Sequence, residues 1–226
     1  MKRSEINGII RRAEAFMDEC GFRLPPFARW TPEEWARKGA EADELRRNQI
    51  GWDVSDFGGG DFNNMGLVLF CLRNGNYSDP ANRKPYAEKI MVIEENQLTP
   101  MHFHRSKTED IINRAGGELV MKVYNSTPDA GLDDTEVTVS IDGVKKSFAA
   151  GSEIVLRPGE SVTVPTLLYH SFHAMEGSGR VLAGEVSAVN DDFTDNIFLE
   201  KTGRFPGIEE DEPPYRLLLT EYPAPA

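Results

Sequence analysis

The chain of 226 residues sets 37 Asp and Glu against 25 Lys and Arg, for a net charge of −12 and a pI near 4.9. A surface this acidic repels phosphate backbones and anionic headgroups, which argues against nucleic acid and membrane as main partners. With 39% hydrophobic residues the chain can bury a substantial core, and it reads as one domain with extensions: 1–65 a helical N-terminal extension, 66–200 a β-barrel, 201–226 a tail.

The start, Met1-Lys2-Arg3-Ser4-Glu5, leads straight into an amphipathic segment with no signal-peptide pattern, and no apolar run of roughly 18 residues follows anywhere. The two cysteines, Cys20 and Cys71, form no disulfide framework, so a cytoplasmic protein is expected. Over 4–19, Ile6, Ile9, Ile10, Ala13, Phe16 and Met17 recur at helical spacing, with Ser4 as the expected cap and Gly21 as the stop. A second helix is predicted from Thr31-Pro32-Glu33-Glu34, a capping box with proline in the first turn, to about Asn48. Gly58-Gly59-Gly60 lacks the Gly-Lys-Ser/Thr sequel of a phosphate loop and reads as a flexible connection or lid.

From Leu67 onward the pattern changes to short β segments, predicted at 67–73, 87–95, 101–105, 109–113, 118–124, 136–141, 144–148, 153–156, 161–164, 168–175 and 181–189. Asp142-Gly143 is a two-residue hairpin turn, and Arg157-Pro158-Gly159-Glu160 another reversal. Many short strands at regular spacing imply a sandwich or barrel. The tail from Phe205 holds the acidic cluster Glu209-Glu210-Asp211-Glu212 and is expected to lie loosely on the surface.

Chemistry concentrates in Met101-His102-Phe103-His104-Arg105-Ser106-Lys107-Thr108-Glu109, answered later by Tyr169-His170. Side chains at i and i+2 of a strand share a face, so His102 and His104 present two imidazoles together, and Glu109 follows after room for a turn. His173, three residues past His170, falls on the opposite face and reads as packed or surface-exposed. Three imidazoles and a carboxylate suit a divalent first-row ion: Mn2+, Fe2+, Co2+, Ni2+ or Zn2+. The stretch containing Pro100, His102, His104, Glu109 and Gly116, with Gly159, Pro165 and His170, resembles the two motifs of the cupin superfamily, which implies a mainly β jelly-roll barrel and the ligand set His102, His104, Glu109 and His170. Asn96 and Leu167 stand where those motifs usually have glycine, and Ala174 where they have asparagine.

Beyond the ligands, the opening Met1-Lys2-Arg3-Ser4-Glu5-Ile6-Asn7, the stretch Gly51-Trp52-Asp53-Val54-Ser55-Asp56-Phe57-Gly58, the sequel Lys107 to Gly117, Gly184-Glu185-Val186-Ser187 and Asn190-Asp191-Asp192 with Asp195-Asn196 resemble the D-lyxose isomerase family of cupins. The resemblance implies a manganese-dependent enzyme interconverting D-lyxose with D-xylulose and D-mannose with D-fructose. For such a reaction a carboxylate can carry the C2 proton to C1, with a hydride shift as the alternative that the sequence leaves open. The candidates are Glu185, an acidic residue inside the apolar stretch Val181-Leu182-Ala183-Gly184-Glu185-Val186, and Glu109 itself. Lys89, interrupting Ala87 to Ile93, is a candidate to hold a substrate hydroxyl or share charge with Glu185; Asp195, with Asp191 and Asp192, could contact sugar hydroxyls, and Arg204 is a weaker candidate. No arginine cluster accompanies the metal motif, which favours a neutral monosaccharide over a sugar phosphate. The same four ligands would also serve an iron oxygenase or a cupin that only binds sugar or metal. Cupins commonly pair through their sheets, so a homodimer is expected.

Overall fold

The computed structural model describes residues 1–79 and 84–224. Among them, fourteen strands run in chain order: β1 (Trp52–Ser55), β2 (Leu67–Arg73), β3 (Tyr86–Ile93), β4 (Thr99–His104), β5 (Glu109–Gly116), β6 (Leu119–Ser126), β7 (Leu132–Asp133), β8 (Val137–Ile141), β9 (Val144–Phe148), β10 (Glu153–Leu156), β11 (Ser161–Val164), β12 (Leu168–Ala174), β13 (Val181–Ala188) and β14 (Asn196–Phe198). They build two antiparallel sheets, one in the order β1-β2-β3-β13-β5-β11-β8-β9, the other β10-β6-β12-β4-β14 with β7 beside β6. The inner faces meet over one core, in which Leu69, Met91, Ile111 and Ala183 of the larger sheet face Met121, Val123, Ile154 and Phe172 of the smaller. This is the cupin jelly-roll barrel that the sequence implied. Asp142 and Gly143 both take positive φ, 49° and 81°, and close the β8–β9 hairpin between paired Ile141 and Val144 as a turn of this kind requires.

Strand parity decides what enters the barrel. On β2, Leu67, Leu69 and Cys71 point inward while Val68 and Phe70 point outward; on β3, Met91 and Ile93 point inward while Ile90 and Val92 point outward. The same alternation puts Lys89 on the inner face with Met91, and Glu185 with Val181 and Ala183, in strands where these two residues are direct partners.

The outward apolar rows are covered by helix α1 (Arg3–Glu19), whose Ile6, Ile9, Ile10, Ala13 and Met17 pack with Trp52, Val54, Val68, Phe70 and Val92. Fully burying each of the larger side chains contributes roughly 1.5–3 kcal/mol, more than a helix cap supplies. The expected Ser4 cap does not form: the helix starts one residue earlier, its N-cap Lys2 makes no side-chain bond, and the Ser4 N–H and hydroxyl donate to Asp211 at 2.8 and 2.6 Å. The Arg3 N–H donates to the Glu209 carbonyl at 2.8 Å, and the Asn7 amide to Glu212 Oε1 at 2.5 Å. The acidic cluster of the tail thus satisfies the open N–H groups and the positive dipole end of α1, and is held by it rather than lying loose. Arg3, 1% exposed, pairs with Glu210 at 2.6 Å and with Glu221. Replacing Arg3 with Met leaves both carboxylates unpaired, but Glu210 and Glu221 keep 58% and 22% exposure. Solvent therefore absorbs part of the loss, and the expected cost is about 2 kcal/mol, below the roughly 3–5 kcal/mol of a fully buried pair. A urea midpoint lowered at unchanged slope would check it.

The second predicted helix breaks into pieces. The capping box forms, with the Glu34 N–H donating to Thr31 Oγ1 at 3.3 Å, but α2 (Pro32–Trp35) ends after one turn and α3 (Asp43–Arg47) begins anew beyond a 3₁₀ turn. Gly39, at φ −91° and ψ −149°, leaves the helical region, and Trp35 is drawn under the tail to stack on Tyr222 at 3.9 Å. Glycine's low helix propensity makes this the place where the helix breaks. No helix of the described residues is long and apolar enough to cross a membrane.

Candidate active site and metal centre

His102 and His104 lie on β4 and His170 on the neighbouring β12, directly opposite His102 in the ladder. Register and parity thus converge three imidazoles on one point inside the barrel, with one nitrogen of each within 4.8 Å of the others. All are buried, at 8, 3 and 0% exposure. Backbone carbonyls only accept, so His102 Nδ1 must donate to Pro100 O at 2.8 Å and His170 Nδ1 to Leu168 O at 3.1 Å, which leaves Nε2 of each neutral ring as the lone pair available to a metal. Burial, then the neighbouring His170 and His104, hold His102 well below its ordinary pKa; burial, then the Lys107 ammonium, lower His104. Neutral imidazoles are the form that a metal takes.

Glu109 opens β5 and faces this cluster, with Oε1 3.1 Å from His170 Nε2 and Oε2 3.3 Å from His104 Nε2. A carboxylate oxygen and an imidazole lone pair at 3.1 Å repel one another unless positive charge lies between them. His170 Nε2 is buried and has no hydrogen-bond partner. The donor set therefore fits a divalent cation, with His102, His104, His170 and Glu109 as the residues that could hold it.

Next to the imidazoles runs a buried charge network. Lys107 Nζ stands 2.7 Å from Glu109 Oε2 and 2.8 Å from Glu185 Oε1, so one ammonium joins the carboxylate of the cluster to the second carboxylate of the cavity. Burial alone would raise Glu109, but Lys107 and then His104 hold it well below the usual carboxylate range. Glu185 also accepts from Ser187 Oγ at 2.9 Å and lies 3.5 Å from Lys89 Nζ. Asp192 is likewise held low, burial being outweighed by Lys89, Arg204 and Lys107. Arg204 donates to Asp53 Oδ2 at 2.5 Å and pairs with Asp192 at 3.2 Å, while its Nη1 is buried with no hydrogen-bond partner. Lys107, Glu109, Glu185, Lys89, Asp192 and Arg204 line a cavity of about 40 Å³, walled by Phe57, Leu69, Phe172 and Phe198.

Of the residues singled out in the sequence, His102, His104, His170, Glu109, Lys89, Glu185, Asp192 and Arg204 all line this cavity. Asp195 does not; its Oδ1 accepts from Ser106 N and Oγ at 2.8 and 2.6 Å, and its Oδ2 stands 3.7 Å from His104 Nδ1. It lies behind the imidazole, beyond hydrogen-bond distance, rather than presenting itself to the cavity. His173 is half-buried and outside the cluster, as parity required. Sequence reasoning misses Lys107 as a site residue, because it sits in the irregular link between β4 and β5, where no strand alternation assigns a direction. Its spacing, two residues before Glu109, is the signal that could have found it. Asn190 escapes for the same reason, lying in the loop after β13.

A jelly-roll barrel with three converging imidazoles, a carboxylate at their edge and a lysine–glutamate network in the same cavity defines an enzyme-like cupin. A family model described as D-lyxose isomerase matches residues 1–222. The D-lyxose/D-mannose isomerase of Serratia proteamaculans is 48% identical over 223 residues, covering 98% of each chain, and that of Escherichia coli O157:H7 is 46% identical with the same coverage. The chain belongs to the D-lyxose isomerase family and is an aldose–ketose isomerase. Among solved structures, the L-ribose isomerase of Cellulomonas parahominis with L-psicose superposes with a TM-score of 0.62 over 92% of this chain and 98% of that one; at 16% identity it shares the fold.

Proposed function

We propose that the protein interconverts D-lyxose with D-xylulose and D-mannose with D-fructose, using Mn2+ held by His102, His104, Glu109 and His170 and Glu185 as the proton-transferring base. The observation that carries the proposal is the single ammonium of Lys107 spanning Glu109 and Glu185 at 2.7 and 2.8 Å, which sets a second carboxylate beside the imidazole cluster in one cavity. The relatives named above as D-lyxose/D-mannose isomerases support the substrates.

When bound, a divalent cation supplies a Lewis acid that polarises the sugar's O1 and O2 and acidifies the C2–H. Glu185 takes the C2 proton and returns it at C1, while the O2 hydroxyl proton passes to O1; the Glu185 oxygens, facing Lys107, Ser187 and Lys89, are fixed in orientation by those donors. Lys89 and Lys107 keep compensating positive charge beside the carboxylate as the proton comes and goes. Arg204 Nη1, a buried donor without a partner, is suited to a distal sugar hydroxyl. Phe57, Phe172 and Phe198 exclude water from the reacting carbons. The protein would work as a homodimer in the cytoplasm.

The test is to strip the protein of metal, reload it with Mn2+, add D-lyxose in deuterated water and follow the mixture by NMR. D-xylulose is expected, with no turnover in the stripped protein; deuterium at its C1 would additionally mark transfer through a base that exchanges with solvent. If lyxose and mannose stay unchanged with Mn2+, Co2+ and Ni2+ alike, the proposal fails. Consumption of dioxygen with Fe2+ would then favour an oxygenase.

A further inference from the structure

Lys89 is 4% exposed, and its ammonium must place three N–H bonds inside the protein. Two carboxylates are within reach, but neither is close: Glu185 Oε2 and Asp192 Oδ1 each lie 3.5 Å away. The one short bond is to Asn190 Oδ1, at 2.6 Å, and the same oxygen stands 3.4 Å from Lys107 Nζ. At the other end of the amide, Asn190 Nδ2 donates to Asp192 Oδ2 at 2.9 Å. That pattern fixes the orientation of the amide, because the reverse would set NH2 against an ammonium and oxygen against a carboxylate.

Asn190 is itself clamped. Its backbone N–H donates to Asn74 Oδ1 at 2.9 Å and its carbonyl accepts from Asn74 Nδ2 at 2.9 Å. Asn74 Nδ2 also donates to the Asn48 carbonyl at 2.9 Å, and Asn48 Nδ2 returns a bond to the Asn74 carbonyl at 3.1 Å. All three asparagines are buried, at 3, 2 and 5% exposure for Asn48, Asn74 and Asn190. Three neutral amides in series thus connect the loops beside the barrel to one catalytic lysine. Asn190 is not among the side chains that wall the cavity; it reaches the site through Lys89.

We infer that Asn190 is a positioning residue of the isomerase, whose neutral amide oxygen holds Lys89 beside Glu185 and keeps it from collapsing into a tight ion pair with Asp192. A neutral acceptor suits this role, since it directs an ammonium without cancelling the charge that Glu185 needs nearby. The inference rests on the proposed role of Lys89 and Glu185.

A double-mutant cycle on the metal-loaded enzyme tests it. Lys89→Met is expected to lower kcat at least 100-fold. Asn190→Ala should lower kcat about 10- to 100-fold with KM within about twofold, and the double variant should match Lys89→Met alone, because the amide has no lysine left to place. Effects that multiply in the double variant would overturn the inference. Should Lys89→Met leave kcat unchanged, the role given to Lys89 fails first and the inference falls with it, which separates the two failures. If Asn190→Ala does not fold, Asn190→Asp serves. Its carboxyl would face Asp192 on one side and Lys89 and Lys107 on the other, with Glu185 and Arg204 next in line, and only its protonated form reproduces the donor and acceptor of the amide. The ratio of variant to native kcat should then rise as pH falls; a flat ratio would count against the positioning role.

Discussion

Replacing Glu185 with Gln is expected to lower kcat by about three orders of magnitude while the metal content of the loaded protein stays at its native level. The amide keeps the volume of the side chain and can still accept from Lys107 and Ser187, which now bond Oε1 at 2.8 and 2.9 Å, so the cavity should hold its shape. What it cannot do is take a proton from carbon. Loss of a general base costs about 10²–10⁴-fold, and in an isomerase that must both remove and return a proton the effect belongs toward the upper part of that range. KM should move little, because the lost interaction is made only as the proton transfers. Metal analysis beside steady-state kinetics separates this residue from Glu109, whose oxygens lie 3.1 and 3.3 Å from imidazole nitrogens and whose loss should deplete the metal as well. Turnover within tenfold of native in Glu185→Gln would move the base to another group.

The parts of this molecule that are legible in its sequence are those in which one physical pattern acts alone. Strands β2, β9, β10 and β11 match their predicted limits because alternation or β-branched runs end at Gly, Pro or Asp turns. Strand β1 escapes such a reading because its run is only four residues long and half polar: Trp52 and Val54 pack under helix α1, while Asp53 and Ser55 are buried on the other face through bonds to Arg204, a partner that local sequence does not announce. Strand β14, three residues long, is defined by its pairing with β4 across the histidines, a contact that local sequence does not announce.

Two departures from the cupin motifs also become intelligible. Asn96 and Leu167, standing where glycine is usual, both adopt positive φ, 58° and 64°. Asparagine tolerates that region; leucine is strained there and persists because its N–H donates to the His104 carbonyl at 2.9 Å, which anchors the turn beside one of the three clustered imidazoles. In the site, parity carries His102, His104, Lys89 and Glu185 to the inner face. It has no purchase on Lys107, Asn190 or Arg204, which lie outside regular strands and take their places around the cavity only through the path of their loops.

Replacing Lys107 with Met is the change expected to damage both stability and catalysis most. Its ammonium is 2% exposed and lies within 2.8 Å of both Glu109 and Glu185. Burial alone would lower its pKa, but those two carboxylates hold it far above the ordinary lysine value, so it is charged throughout the range in which the enzyme folds. Methionine fills similar space and removes the charge, leaving two buried carboxylates facing the same apolar sulfur. Removing one partner of a buried pair costs roughly 3–5 kcal/mol, and here two pairs share the lost partner, so the metal-free variant should lose at least about that much by urea unfolding. Chemistry should suffer for the same reason. Two neighbouring buried carboxylates left with only the more distant Lys89, 3.5 Å from Glu185, do not both stay ionised, and a proton retained on either removes a function. On Glu109 it weakens the metal site, and on Glu185 it blocks the base. The expected outcome is a kcat/KM lowered by at least about 100-fold, with stability partly recovered on adding Mn2+, since a cation beside Glu109 replaces half of the missing charge balance. A variant as stable as the native protein when metal-free, with turnover within tenfold, would show that the carboxylates are balanced by some other group and that Lys107 does not couple the two halves of the site.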